Sequence, residues 1–498
     1  MDAALQAING AIQLIVPEVI LIATVCVAFA ISPFLVNDRG QSNPGLRNRW
    51  GVIALFGVLS AALVWWNTPH TTVTNGPFRI DELVWYTRLL TFGIGTVLVL
   101  VLWGQVEDSV SGECMACLLS ILAGANLVAA ANDLISLFLA LELVSIPTYV
   151  LLYLPRRDNA SREATIKYFL LSIFSSGLML FGMAYLFGVG GTTNLVGIQA
   201  KLASGLGDAA PLVIVALGMI IAGLGFRITA VPFHFYAPDV FQGTAPAAAG
   251  MLSIMPKIVG LVALFRIAQT VSWFTSSIGS TSIATVAGLA VITMFVGNLL
   301  ALRQRNIARM MAYSSIAHAG YMLAGFAVIV PGALANGWGA VLFYLTTYGF
   351  ATVGVFGILV AVSDSRKPSM TIDDFAGLSK SHPVAALLMA IVLFGLTGLP
   401  PTAGFLGKLS LFIAAWSQGT ELGPWLAILM ALNAAISAWY YLRLIATMYL
   451  QPNSQLGSSQ LQVPALVGSA LCAVVTLATF VAPQWIWRMA ESVGKLVG

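Results

Sequence analysis

Arg227, His234 and Asp239 occur within eighteen residues, FRITAVPFHFYAPDVFQG (226–243), in a region otherwise made of Leu, Ile, Val, Ala and Gly. Other ionisable side chains interrupt apolar runs in the same way. Glu142 is in the middle of LISLFLALELVSIPTYVLLYL, Lys257 in AAAGMLSIMPKIVGLVALF and His318 in ARMMAYSSIAHAGYMLAGF. Lys408 follows LTGLPPTAGFLG, and Lys167 lies about a turn inside another apolar run. A charge at the centre of a membrane helix costs about 2.5–3.5 kcal/mol on insertion scales, so each of these residues requires a compensating partner or a function.

A row of Glu, Lys and His is suited to proton transfer. Burial disfavours the charged form of each group and a neighbouring opposite charge restores it, so proton occupancy changes when neighbours move. Histidine needs the least tuning, because its ordinary pKa is already near neutrality. The alternative for each residue is a structural ion pair, or a long side chain reaching the interface. That alternative applies most to Lys167, Arg266 and Arg443, and least to Glu142, Lys257 and Lys408, which are central in their runs.

The elements that must position these groups are membrane helices. Of 498 residues, 59% are hydrophobic and 8% charged, where a soluble domain has about 25% charged. Apolar runs near 11–31, 51–67, 84–103, 112–130, 133–153, 164–189, 211–230, 247–270, 282–302, 307–330, 336–362, 384–416, 424–450 and 463–483 predict fourteen spans in one integral domain. Each run is long enough for a hydrocarbon layer of about 30 Å. Within that domain, 1–111 holds three peripheral helices, 112–270 and 282–450 two repeated units, and 463–483 the last helix. The first run has no basic region before it and no small-residue cleavage site, so it is read as retained.

Lys and Arg mark the orientation. Arg39, Arg47 and Arg49, then Arg156, Arg157 and Arg162, then Arg303, Arg305 and Arg309, and finally Arg366, Lys367 and Lys380 all follow odd-numbered spans. The other side has Arg79, Lys201, Arg488 and Lys495. The positive-inside rule then places odd loops in the cytoplasm and both termini outside, and the net charge of +4 reflects this asymmetry rather than nucleic-acid binding. Cys114 and Cys117 form a lone CxxC, a weak metal signal without a second pair or histidines. No dinucleotide fingerprint, phosphate-binding loop or four-cysteine cluster set is present, so no metal or redox cofactor is expected in the chain itself.

Pro232 and Pro238 predict that the seventh span breaks at membrane depth, and Pro400 with Pro401 predict the same for the twelfth, among Gly395, Gly398, Gly404 and Gly407. Freed backbone groups survive there only when buried in protein or facing a wet cavity. The two breaks are five spans apart, an odd number, so the second unit stands inverted relative to the first. Paired interrupted spans of this kind point to a transport site. Spans 4–8 then carry Glu142, Lys167, Arg227, His234 and Lys257, and spans 9–13 carry His318 and Lys408.

The strings VPFHFYAPDVFQGTAPAAAGMLSIMPK, LALELVSIPTYVLLYLPR and LTGLPPTAGFLGK resemble the antiporter-like membrane subunits of the proton-pumping NADH:quinone oxidoreductase, bacterial complex I, and among them the subunit N family. The resemblance covers nearly the whole chain. It implies an all-α integral membrane fold of two inverted five-helix units, with helices 7 and 12 discontinuous. It also implies a place in the inner membrane beside other membrane-arm and peripheral-arm subunits, and a share in a proton-translocating enzyme whose NADH, FMN, iron–sulfur clusters and quinone are held elsewhere.

In that family a glutamate matching Glu142 pairs with a lysine of span 7, and lysines match Lys257 and Lys408; Lys167, His234 and His318 fall at matching polar positions. Here the span-7 partner is Arg227. Arginine cannot release its proton in a protein, so it serves as a counter-ion and not as a stop on a relay. Three other readings keep most of these observations: a subunit of a related cation/proton antiporter or membrane-bound hydrogenase complex, a free-standing transporter, and a structural spacer.

Overall fold

The computed structural model describes residues 12–36, 43–68, 70, 72–205, 209–271, 277–329, 337–363, 370–419, 421–452 and 461–495. The chain start, Arg39, Arg366 and Lys367, which contribute to the orientation reading, lie outside the described residues. The helices are α1 Val16–Ile31, α2 Leu46–Asn67, α3 Glu82–Gln105, α4 Ser111–Ala130, α5 Leu134–Tyr153, α6 Asn159–Gly190, α7 Leu195–Ala203, α8 Ala210–Ile228, α9 Ala237–Gly243 and α10 Pro246–Thr270. They continue with α11 Ser277–Leu302, α12 Ile307–Ala327, α13 Gly337–Ala361, α14 Leu378–Ser381, α15 Pro383–Thr397, α16 Ala403–Trp416, α17 Leu422–Leu450, α18 Val463–Val481 and α19 Gln484–Gly494. A small antiparallel hairpin, β1 Val73–Asn75 with β2 Phe78–Ile80, precedes α3.

Twelve of the described helices are long and apolar enough to cross a membrane. With the less apolar α12 and the interrupted pair α15 and α16, the fourteen expected spans are accounted for. Polar residues set several helix starts. Asp81, Asp133, Asp158, Asn194 and Asn306 each accept a bond from a first-turn amide of the helix they precede, satisfying donors that would otherwise be orphaned. The centre of the bundle is α10, buried throughout its apolar window, with α13 and α4 almost as enclosed. Lys257 therefore lies on the innermost helix.

Both expected breaks are present. α8 ends at Thr229 and α15 at Gly398, each in the left-handed conformation, with φ of 65° and 81°. Three residues later each chain has a proline after a cis bond, Val231–Pro232 and Pro400–Pro401. Glycine adopts the left-handed conformation freely, whereas Thr229, β-branched, is the one described non-glycine residue with positive φ. Pro238 plays a different part from the one expected: it starts α9, within the first turn where a missing amide leaves no bond unmade. The break is made at 229–236.

Two loop pairings show the repeat in the backbone. Asp133, before α5, forms an isolated antiparallel bridge with Asn194, after α6. Asn306, before α12, bridges Thr371, after α13. Each bridge joins the loop before the second span of a unit to the loop after its third, and Asp133 and Asn306 both cap the helix they precede. Five spans separate the two pairings, so they fall at opposite ends of the bundle.

Candidate proton-transfer site

Glu142 projects from the middle of α5 toward the end of α8, where Arg227 occupies the last turn before the break. Arg227 Nη2 donates to Glu142 Oε1 at 3.0 Å and to Ser176 Oγ at 3.2 Å. Its Nη1 donates to Ser145 Oγ at 2.8 Å and to the Leu141 carbonyl at 3.3 Å. Ser176, from α6, also donates to Glu142 Oε1, at 2.6 Å. Breaking such a pair from one side costs about 3–5 kcal/mol, because the remaining charge is left without a partner. The resemblance anticipated the pair; the serines that complete it were not anticipated.

Arg227 packs on α10 at Gly260, where a Cβ would come within 3.3 Å of Arg227 Cβ and 2.8 Å of Ile228 Cγ1. Gly260 is one turn from Lys257, so this bare stretch of α10 brings the pair and the buried lysine onto adjoining surfaces. Lys257 is fully buried. Its Nζ donates to Ser315 Oγ of α12 at 2.5 Å and to the Ser253 carbonyl at 3.2 Å. Tyr348 of α13 donates to the same Ser315 at 2.9 Å.

His318 lies beyond Tyr348, 4.6 Å away from ring centroid to ring centroid. Its Nδ1 is 2.5 Å from Tyr344 Oη and its Nε2 is 3.0 Å from Tyr441 Oη, which in turn is hydrogen-bonded to Ser314. Tyr321 is 6.1 Å from Tyr344, centroid to centroid, and the Lys408 ammonium stands 5.4 Å over the Tyr321 ring. Lys408 reaches back across the second break and donates to the Thr397 carbonyl at 2.8 Å. A cation at this position complements the negative end of α15. The first break is closed differently, with Tyr236 Oη donating to the Phe226 carbonyl at 3.0 Å.

Five of the seven expected residues thus fall along one lane, with Arg227, Lys257 and His318 buried and Glu142 and Lys408 partly buried at its two ends. His234 lies in the first break, half-buried, with its Nδ1 enclosed and without a hydrogen-bond partner. Lys167 is elsewhere, paired with Glu163 at 2.7 Å and Asp239 at 2.9 Å in a half-exposed ionic cluster. The lane's hydroxyls, Ser315, Tyr344, Tyr348 and Tyr441, were not singled out from sequence. One signal was present: Tyr344 and Tyr348 are four residues apart and share a helix face.

Two further buried ion pairs lie off the lane. Arg88 holds Glu18 with Nε to Oε1 and Nη2 to Oε2, both at 2.8 Å, fastening α3 to α1. Arg266 holds Asp81 at 2.6 and 2.8 Å and fastens the end of α10 to the start of α3. Asp81 is outside the spans: burial alone would raise its carboxyl, but Arg266 and Arg79 outweigh that and hold it below the ordinary value of 3.8. Arg266 accordingly has a structural ion pair, the alternative considered for it. Cys114 and Cys117 are buried and unbridged, and no group of three or more metal-ligating side chains exists among the described residues.

The family described as NADH:quinone oxidoreductase/Mrp antiporter, TM, matches residues 131–437, the segment that contains both breaks and Glu142, Arg227, Lys257, His318 and Lys408. NADH-quinone oxidoreductase subunit N of Trichlorobacter lovleyi is 36% identical over 495 residues, covering 99% of this chain and 98% of its own. Among solved structures, a chain of respiratory complex I from Thermus thermophilus with bound aureothin superposes with a TM-score of 0.78 at 28% identity, covering 95% of this chain and 98% of that one. A chain of the membrane-bound sulfane sulfur reductase, an archaeal respiratory membrane complex, superposes with a TM-score of 0.82 at 24% identity, covering 96% and 97%. The last likeness concerns the fold alone.

Proposed function

The chain belongs to the NADH:quinone oxidoreductase/Mrp antiporter membrane family and is similar to subunit N along nearly its whole length, and on that premise we propose that this lane carries protons across the membrane. It is a multi-pass membrane subunit of the NADH-quinone oxidoreductase kind, and its part in the enzyme is translocation. NADH oxidation, FMN, the iron–sulfur clusters and quinone reduction belong to partner subunits of the peripheral and membrane arms. The membrane is the bacterial inner membrane, with both termini periplasmic, as the Lys and Arg bias of the loops favours.

The observation that carries this reading is the row of groups from Glu142 to Lys408, in which Lys257, Ser315, Tyr348, His318 and Tyr344 follow one another and the Glu142–Arg227 pair borders Lys257's helix at Gly260. Glu142 is held by a permanently charged partner, so its protonation state decides how much of the Arg227 charge is neutralised. Arg227 borders Gly260, one turn from Lys257, and a change in the pair therefore alters the field at Lys257. Ser315, Tyr348 and His318 offer hydroxyls and a ring that can both donate and accept. Lys408 receives the proton at the second break, where the chain has exchanged a helical amide for a glycine–proline turn.

The first test is to tag the chain, solubilise the membranes in mild detergent and identify what accompanies it. Flavin and iron–sulfur subunits, with NADH:quinone reduction in the eluate, support the reading. Recovery with antiporter-like partners alone, without redox activity, replaces it with the related cation/proton antiporter or hydrogenase assembly, which uses the same fold.

A further inference from the structure

Asp239 has no place in the lane, yet cations from two other helices meet on it. Its Oδ2 accepts from Lys167 Nζ of α6 at 2.9 Å, and its Oδ1 accepts from Arg309 Nη1 of α12 at 2.7 Å. Arg309 Nη1 also donates to Gln242 Oε1 at 3.0 Å, and Arg156 Nη1 donates to the Gln242 carbonyl at 3.3 Å. The short helix α9, which follows the first break, is thereby held to the first unit through α6 and to the second through α12. The other end of the break is also tied to the second unit, the Val231 amide donating to Thr293 Oγ1 of α11 at 3.0 Å.

We propose that Asp239 is a positioning residue that clamps the interrupted seventh span to α12, and so sets where Ser315 and His318 stand against Lys257. The proposal rests on the proton-transfer reading of the lane. Arg309, Ser315 and His318 share one helix, so a clamp at Arg309 fixes the rotation and height of the face that meets Lys257. Arg227 is two residues before the break and Asp239 is within the helix after it, so a shift at the Glu142–Arg227 pair reaches α12 through this segment.

The repeat gives a second, independent argument. Asp239 stands ten residues after Thr229, and Lys408 stands ten residues after Gly398, the residues that end the two half-helices in the left-handed conformation. The equivalent positions of the two units thus hold ionisable groups of opposite sign. Lys408 turns inward, to the Thr397 carbonyl and the Tyr321 ring. Asp239 turns outward to Lys167 and Arg309, beside a cavity of about 230 Å³ bordered by Arg156, Glu163, Lys167, Gln242 and Arg309. The Asp239 carboxylate and the Lys167 ammonium are 40% and 41% exposed, so each pair adds modestly to stability, and the effect of Asp239 is expected chiefly in coupling and geometry.

The test uses the whole complex in liposomes, with spin labels on cysteines replacing the exposed Phe235, in the break, and the exposed Arg305, just before α12. Asp239→Asn and Arg309→Met are expected to broaden the distance distribution between the labels, and in the unlabelled complexes to lower protons moved per NADH oxidised at least twofold while NADH:quinone reduction proceeds. Asp239→Glu, which keeps the charge, is expected to retain most of the ratio. An unchanged distribution overturns the clamp, and a broadened distribution with an unchanged ratio overturns its role in transfer. Failure of the parent complex to reduce quinone with NADH is a different result: it removes the assignment to that enzyme, and the label distances still decide the clamp.

Discussion

Arg227 grips Glu142 with only one arm of its guanidinium; Nη2 makes the 3.0 Å ion pair while Nη1 is committed to Ser145 Oγ and the Leu141 carbonyl. The pair is therefore locked in place by α5 itself. A lysine ammonium has three donors radiating from one point and cannot span both sets of acceptors. Arg227→Lys is expected to keep the charge balance and lose the fixed geometry, lowering proton transport several-fold in proteoliposomes. Arg227→Ala is expected to cost much more, because Glu142 is then left without its counter-ion. Equal transport in Arg227→Lys and the parent would show that only the charge matters.

Among the described residues Lys257 has no carboxylate partner; it meets Ser315 Oγ, the Ser253 carbonyl and the Tyr348 ring at 6.0 Å. Removing it leaves no opposite charge stranded. Lys257→Ala is accordingly expected to assemble normally while proton transport falls at least tenfold. Blue-native gels alongside acidification assays check this. Retained transport would revive the spacer reading of the chain.

His318 joins Tyr344 and Tyr441 through its two ring nitrogens. In His318→Phe both tyrosine hydroxyls lose that partner, and an unsatisfied buried polar group costs about 1–3 kcal/mol. The expected result is a lower unfolding temperature together with blocked transfer between Lys257 and Lys408. A variant with unchanged melting and transport would remove His318 from the lane.

Gly404 lies so close to α15 that a Cβ would be 1.7 Å from the Gly395 carbonyl oxygen. Backbone cannot yield to that extent without separating the half-helices that let Lys408 reach Thr397. Gly404→Ala is expected to reduce the amount of assembled protein sharply, whereas Gly419→Ala, with open space around the site but a left-handed backbone, is expected to have a milder effect. Comparable yields of the two variants would contradict the close approach.

Asp81 contributes pH dependence of a known sign. Its carboxyl is held below 3.8 by Arg266 and Arg79 despite burial. A group with a depressed folded value binds fewer protons folded than unfolded near that pH, so its contribution is present above about pH 4 and lost as pH falls through the folded value. Melting temperatures of the parent are expected to drop below pH 4 more steeply than those of Asp81→Asn, which starts less stable at pH 7. Parallel curves would show that the Asp81 pair does not report on this range.

The sequence by itself determined the membrane class, the fourteen spans and the positions of both breaks. Composition, run length and the Gly and Pro positions act through the local backbone, and neighbours are not needed to read them. Glu142, Lys257, His318 and Lys408 were visible for a related reason: a charge or a ring nitrogen in an apolar run is conspicuous in any context. The partners of these groups were decided only when the helices packed. Ser145, Ser176, Ser315, Tyr344, Tyr348 and Tyr441 are ordinary residues of membrane helices, and they become part of a lane only because α5 meets α6 and α8, and α12 meets α10, α13 and α17. The same holds for Lys167 and Asp239, which look like members of the same row in sequence and are brought together away from it. A helix presents a new face every residue, and which face meets a neighbour depends on crossing angle and height, quantities that hydropathy does not encode.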